Sequence, residues 1–329
     1  MRSLNVLLSG LLLSVAPLSA CAEDPTAFSQ PAEVKQFIAE MVKDYQFNAD
    51  SLTDLFEKVH LHQSIIDAIS RPAEAKPWYE YRQIFLTRDR VRGGVLFWNN
   101  NQAIIEHVAQ TYKIAPEILV AIVGVETRYG QHTGRYPVID SLSTLAFAYP
   151  PRAKFFRGEL KQYLLMTREE GLDPLQQKGS YAGAMGMPQF ISSSFRHYAV
   201  DFDKDGKRDL WDNTADALGS IANYFAKHGW RYNQPIANRV QVSGLKYREL
   251  IDNKSLKPRF TPEQMRLAGV VIDGKVPDDI KGCLIELDSG NGPEYWAAWE
   301  NFYVISRYNH SALYAMAVHQ LGDEIIKSR

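Results

Sequence analysis

A carboxylate stands where apolar residues are expected. Ile118, Leu119, Ile122 and Val123 recur at helical spacing, and Glu126, four past Ile122, falls on the same stripe. Pro116 suits the first helical position because its φ is already helical and its missing N–H would be unpaired there, and Gly130 supplies the stop. Glu126 therefore occupies the last turn, where unpaired carbonyls make the helix end negative. Desolvation and dipole both disfavour its ionised form and raise its pKa. A carboxylic acid kept protonated near neutral pH is what general-acid cleavage of a glycosidic bond requires. The competing reading is an ion pair with a cation such as Arg128.

A second constellation holds metal-binding chemistry. From Asp201 to Asp212, Asp201, Asp203, Asp205 and Asp209 occupy loop positions 1, 3, 5 and 9, Gly206 occupies position 6, and Lys207 would offer its carbonyl at position 7. That is the spacing of an EF-hand calcium loop. Position 12 is Asp212 where Glu is usual, and Asp216, one helical turn further, is its rival for the last ligand. The expected ion is structural Ca²⁺; a solvated acidic turn is the alternative.

Between these two stretches, 179–190 reads Gly-Ser-Tyr-Ala-Gly-Ala-Met-Gly-Met-Pro-Gln-Phe. Its glycines and small residues let another group approach the backbone closely, which predicts a binding loop.

The elements that must position these residues are mostly helical. Val34, Phe37, Ile38, Met41, Val42 and Tyr45 give one amphipathic helix, and Ser51 to Asp54 predicts the capped start of another through Leu55, Phe56 and Val59. Further helices are expected over 78–86, within 89–112, over 155–169 and from about Ser311 through Leu313, Ala317, Leu321 and Ile325. Between them Val240 to Val242, Cys283 to Leu287 and Tyr295 to Trp299 read as strands. The expected organisation is an N-terminal helical region (31–74), a catalytic core (75–235) carrying the acidic loop (201–216), a small β-containing domain (236–300), and a C-terminal segment and helix (301–329) returning to the core.

The 329 residues are 45% hydrophobic, enough for a large core, and the net charge of −1 leaves no basic excess for a nucleic-acid partner. At the N-terminus, Arg2 and the apolar run 6–16 form an export signal too short to span a bilayer. It ends in Leu18-Ser19-Ala20-Cys21, which resembles a bacterial lipobox. Residues 1–20 would then be a signal peptide, Cys21 the lipid-bearing first residue of the mature protein and 21–30 a tether. Cys283, in an apolar run, is expected to be a buried core residue.

Taken together, Val125-Glu126-Thr127-Arg128-Tyr129-Gly130, Gly183-Ala184-Met185-Gly186 before Gln189-Phe190, Asn223-Tyr224-Phe225 and Arg307-Tyr308-Asn309-His310-Ser311 resemble the membrane-bound lytic transglycosylase B family. The resemblance runs from about Phe37 to the C-terminal helix. It implies a lysozyme-like α+β core with an attached EF-hand and a small β domain. It also implies cleavage of the β-1,4 bond between N-acetylmuramic acid and N-acetylglucosamine in peptidoglycan, with no organic cofactor. By the same resemblance Glu126 is the catalytic acid/base, and Ser180, Gln189, Phe190, Tyr224, Tyr308, Asn309 and Tyr314 line the glycan groove, with Tyr81 and Arg152 as further members. Ala22 after Cys21 resembles lipoproteins sorted to the outer membrane, so the expected location is its periplasmic face. Two departures stand out: Met187-Pro188 replaces the usual small or aromatic residues, and the calcium loop runs one residue longer before Asp216. One well-placed carboxyl without a second opposite it points to non-hydrolytic cleavage that leaves a 1,6-anhydromuramic acid end. The alternatives are a hydrolytic muramidase and a non-catalytic, calcium-dependent peptidoglycan-binding lipoprotein.

Overall fold

The structure, a computed structural model, describes residues 26–27, 32–71 and 76–329; Cys21 and the export signal lie outside them. In chain order the elements are β1 (Thr26–Ala27), α1 (Ala32–Tyr45), α2 (Ala49–Phe56), β2 (His60–Leu61), α3 (Gln63–Ser70), α4 (Trp78–Phe85), α5 (Arg88–Asn100), α6 (Gln102–Tyr112), α7 (Pro116–Thr127), β3 (Tyr136–Pro137), α8 (Val138–Ala148) and α9 (Ala153–Glu170). There follow β4 (Lys178–Gly179), α10 (Ser192–Tyr198), α11 (Thr214–Lys227), β5 (Ala237–Val242), α12 (Pro262–Leu267), β6 (Val270–Ile272), β7 (Gly282–Asp288), β8 (Pro293–Trp299), α13 (Glu300–Tyr308) and α14 (Ala312–Ser328). The protein is mainly helical with small antiparallel sheets, as the apolar periodicity predicts.

The described residues fall into two compact units, one of 76–129 with 221–329 and one of 26–71 with 130–220. In the first, α5, α6 and α14 pack around α7, whose residues from Ile118 to Val123 are fully buried. A helix apolar on every side belongs at a core's centre, and here that puts its last turn at the disposal of α14. The same unit holds a four-stranded antiparallel sheet in the order β6-β5-β8-β7, with Val240 opposite Ile272 on one side and Tyr295 on the other. Val240, Leu250, Met265, Val270, Ile280, Leu284, Ala297 and Trp299 form the sheet's own apolar cluster, and Cys283 is buried as expected. In the second unit α8 and α9 pack together, with α10 against α9.

Helix ends account for the differences from expectation. The cap of α2 is Asn48, whose side chain accepts the Ser51 N–H at 2.9 Å, so Ser51 lies inside the helix. Val59 is buried but falls after that helix's end. Within the stretch 21–30, the described residues form β1, which pairs antiparallel with β2. Helix α7 does not run to Gly130: the chain leaves it through Arg128 (φ 49°) and Tyr129 (φ 63°), both left-handed, before Gly130 continues the turn.

Candidate active site

Helix α7 delivers Glu126 at its C-terminal end, and α14 delivers Tyr314, whose hydroxyl donates to Glu126 Oε1 at 2.5 Å. Ser311 fixes the start of α14 by accepting the Tyr314 N–H on its side chain at 3.3 Å. Glu126 keeps partial exposure while its carboxyl is closely surrounded by protein. Burial pushes its pKa up to about 7, and the Tyr314 bond, which favours the ionised form, opposes that rise. Among the described residues no cation acts on it, and Arg128 is exposed, so the ion-pair reading does not hold.

Three phenols face this carboxyl. Tyr81 from α4, Tyr308 at the end of α13 and Tyr314 are each driven up in pKa, first by burial and next by the charge of Glu126. They remain neutral hydrogen-bond donors at any working pH. Tyr224 on α11 packs edge-on to Tyr308 with centroids 5.0 Å apart and donates its hydroxyl to the Arg307 carbonyl at 2.6 Å. That bond ties α11 to the segment carrying Tyr308 and Asn309. The side-chain oxygen of Asn309 is buried and has no hydrogen-bond partner among the described residues, an acceptor held ready for an incoming N–H or O–H. Sequence reasoning missed His228, which follows the last residue of α11 and stacks on Tyr224 at 4.0 Å; its spacing of four residues from Tyr224 was the available signal.

In the other unit, Ser180, Gln189 and Phe190 belong to one hydrogen-bonded loop. The Ser180 hydroxyl oxygen accepts N–H groups from Ala184 (3.0 Å) and Ala182 (3.3 Å), and the Ser141 hydroxyl donates to the Ser180 carbonyl at 3.1 Å. With both lone pairs engaged, Ser180 has only its proton left to offer. Gln189 adopts a left-handed φ of 51° and donates from its amide to the carbonyls of Thr133 and Gly186. Such strain persists where surrounding structure over-determines the residue. Phe190 is buried, and Arg152 lies over the rings of Phe155 and Phe156. The loop's glycines do admit close approach to the backbone. A Cβ at Gly183 would stand 2.5 Å from Leu142, and one at Gly186 would stand 2.3 Å from the Leu210 carbonyl, so the protein's own chain takes up that space.

In the acidic loop, carboxylate oxygens of Asp201, Asp203 and Asp205 come within 4.8 Å of one another. Asp209 instead caps the N–H groups of Trp211 and Asp212, and Asp212 is exposed. Asp216 is fully buried and accepts the N–H groups of Phe202 at 2.7 Å and Asp209 at 2.9 Å. Its pKa is raised by burial first, with the charges of Asp203 and Asp201 adding to the rise. The loop is tied to the glycine-rich stretch: Met187 N–H donates to Leu210 O at 2.8 Å, and the Trp211 indole donates to Lys178 O at 2.8 Å.

A desolvated carboxylic acid at the end of a central helix, served by neutral phenols, is equipped to give and regain one proton at a polar substrate. Residues 29–323, nearly the whole chain, match the family described as Transglycosylase SLT domain, and the protein belongs to that family. It is 40% identical over 314 residues to membrane-bound lytic murein transglycosylase B of Escherichia coli (strain K12), covering 92% of this chain and 85% of that protein. Among solved structures it resembles the soluble lytic transglycosylase SltB1 from Pseudomonas aeruginosa (TM-score 0.86, 46% identity, 90% of this chain and 99% of that one). It is also similar to the Escherichia coli lytic transglycosylase Slt35 in complex with calcium (TM-score 0.83, 39% identity, 92% of this chain and 95% of that one). The fold is the lysozyme-like one expected.

Proposed function

We propose that this protein is a lytic transglycosylase that cleaves the β-1,4 bond between N-acetylmuramic acid and N-acetylglucosamine in peptidoglycan, leaving a 1,6-anhydromuramic acid end. One observation carries the reading: the Glu126 carboxyl, its pKa pushed up to about 7, accepts a phenol, and among the described residues no second carboxyl acts on it. A hydrolase would pair it with another carboxylate as nucleophile or base. Tyr314 donates to Oε1, so the acid's proton rides on Oε2. Glu126 passes that proton to the glycosidic oxygen as the bond from the anomeric carbon breaks. The substrate's own acetamide carbonyl oxygen supports the positive charge that develops at the anomeric carbon. The resulting carboxylate then removes the proton of the muramic 6-hydroxyl, whose oxygen bonds to the anomeric carbon. The acid is regenerated and no water is consumed.

Gln189, Phe190, Tyr224, Tyr308, Asn309, Tyr81 and Arg152 are assigned to glycan binding. The support is the family motif and, for Asn309, its buried unpartnered acceptor. A structural calcium site is assigned to Asp201, Asp203, Asp205 and the Lys207 carbonyl. Asp216 is taken as the last ligand rather than Asp212 because it is buried beside the loop while Asp212 is exposed; its oxygens, which here accept the Phe202 and Asp209 N–H groups, lie outside the Asp201, Asp203 and Asp205 cluster and would have to turn to the ion. When bound, the ion would brace the loop that holds Met187 and Lys178 in place. A lipid on Cys21 holding the protein at the periplasmic face of the outer membrane is supported by the lipobox and by the membrane-bound relative. The test is turnover of purified glycan strands: wild type releases anhydro-ended fragments and Glu126→Gln releases none. Reducing-ended products would mean a muramidase, and binding without turnover an adhesive lipoprotein.

A further inference from the structure

Three glycines in helix interiors converge on one ring. Glycine weakens any helix that contains it, so its presence at Gly93 and Gly94 of α5 and Gly124 of α7 asks for a reason. An added Cβ would stand 2.9 Å from the Tyr129 ring at Gly93, and 2.7 Å from the Tyr129 hydroxyl at both Gly94 and Gly124. Together they form a slot that the Tyr129 ring, turned back over the helix end, fills beside Ile325, whose side chain would stand 2.5 Å from a Cβ at Gly94. The left-handed Arg128 and Tyr129 make that turn, and Phe97 stacks on the inserted ring at 5.6 Å.

The slot closes a cycle of hydrogen bonds. The Tyr129 hydroxyl donates to the Arg90 carbonyl at 2.7 Å, while the Arg90 guanidinium donates to the Gly124 carbonyl in the last turn of α7. Arg90 is only 8% exposed, lies over the Phe85 ring and forms no ion pair among the described residues. A buried cation without a carboxylate is costly, and the negative end of α7 is what compensates it here. Burial, then the charge of Arg128, lowers its pKa, with the Tyr129 phenol acting the other way, but an arginine stays charged at working pH. Glu126 lies inside the stretch that this cycle braces, from Gly124 to Tyr129.

We propose that Arg90 and Tyr129 are positioning residues that lock the last turn of α7, so that the Glu126 carboxyl meets the Tyr314 hydroxyl. The role rests on the reading of Glu126 as the acid of a lytic transglycosylase. The groups facing that carboxyl are Tyr81, Tyr308 and Tyr314, none of which the proposed substitutions touch.

The test compares Tyr129→Ala, which empties the slot, with Tyr129→Phe, which keeps the ring and removes only the bond to Arg90. Turnover of glycan strands gives kcat, KM and the pH profile of kcat, and thermal unfolding gives the folded fraction. Tyr129→Ala should lower kcat about a hundredfold per folded molecule, the scale of an ångström-sized misplacement, with KM within about twofold. The basic limb of its kcat profile should move to higher pH, because a slack Glu126 loses the phenol bond that holds its pKa down. Tyr129→Phe should recover kcat to within about tenfold with a smaller shift of the same sign, and carries the test alone if the alanine variant fails to fold. Wild-type kcat and an unmoved limb in the folded variants, or a loss appearing in KM alone, would overturn the assignment. A wild type that turns over no glycan would instead sink the functional reading on which it rests.

Discussion

Replacing Glu126 by Gln should stabilise the protein at alkaline pH and leave it nearly unchanged at acid pH. Between an ordinary 4.5 and about 7, at about 1.36 kcal/mol per pH unit, ionising Glu126 in the folded state costs about 3 kcal/mol. The sign follows from proton counts: between those values the folded protein binds the proton and the unfolded chain does not, so wild-type stability falls as pH rises. The contribution is fully present below pH 4.5 and is lost once pH passes about 7. A glutamine carries no such term and can still accept the Tyr314 hydroxyl through its amide oxygen. From pH 5 to pH 8 the difference between variant and wild type should therefore grow by about 2 to 3 kcal/mol in the variant's favour. At about 2.1 cal/mol/K per residue, that is about 4 °C in melting temperature. Thermal and urea unfolding of both proteins at several pH values measure it, and the subtraction cancels every other titrating group. A difference that does not change with pH, or a variant less stable than wild type at pH 8, would refute a desolvated acid at this position.

Added Ca²⁺ at a hundred times its dissociation constant should stabilise the wild type by about 2.7 kcal/mol, reversed by chelator. Asp203→Asn and Asp216→Asn should remove that response and Asp212→Asn should keep it; a wild type that melts identically with Ca²⁺ and with chelator counts against the site. Cys21→Ser should move the protein from the membrane to the soluble fraction, and an unlipidated wild type by mass measurement would contradict the anchor. Ser180→Ala removes the one donor left at that hydroxyl and should lower kcat/KM by about tenfold to a hundredfold, the scale of leaving one hydrogen-bond partner unpaired. Unchanged turnover would show that its role is confined to holding Ala182 and Ala184.

What was legible in the sequence is what local spacing controls. Pro116 and the apolar run after it set α7, and four-residue spacing put Glu126 on the buried stripe. Its true partner was not legible from the residues, because Tyr314 lies 188 positions away and meets Glu126 only when α14 packs on α7. The neighbouring Arg128 was a plausible ion-pair partner by distance along the chain, but it is exposed and does not act on Glu126. In the acidic loop, alternate aspartates share one side, so Asp201, Asp203 and Asp205 converge. The fate of Asp209 and Asp216 depended on which backbone amides the fold would bring to them. The glycines of 179–190 predict close approach of another group to the backbone, but not that at Gly183 and Gly186 the group comes from Leu142 and Leu210, well separated in sequence. Local pattern cannot reveal a partner that only tertiary packing supplies.

One measurement bears most directly on a single carboxyl serving twice: digestion of purified glycan strands in water enriched in heavy oxygen, with the products weighed. If Glu126 both donates and reclaims the proton, the new muramic end closes on its own 6-hydroxyl, carries no label and is lighter than a hydrolytic end by one water. A product bearing one labelled oxygen at a reducing end would contradict it.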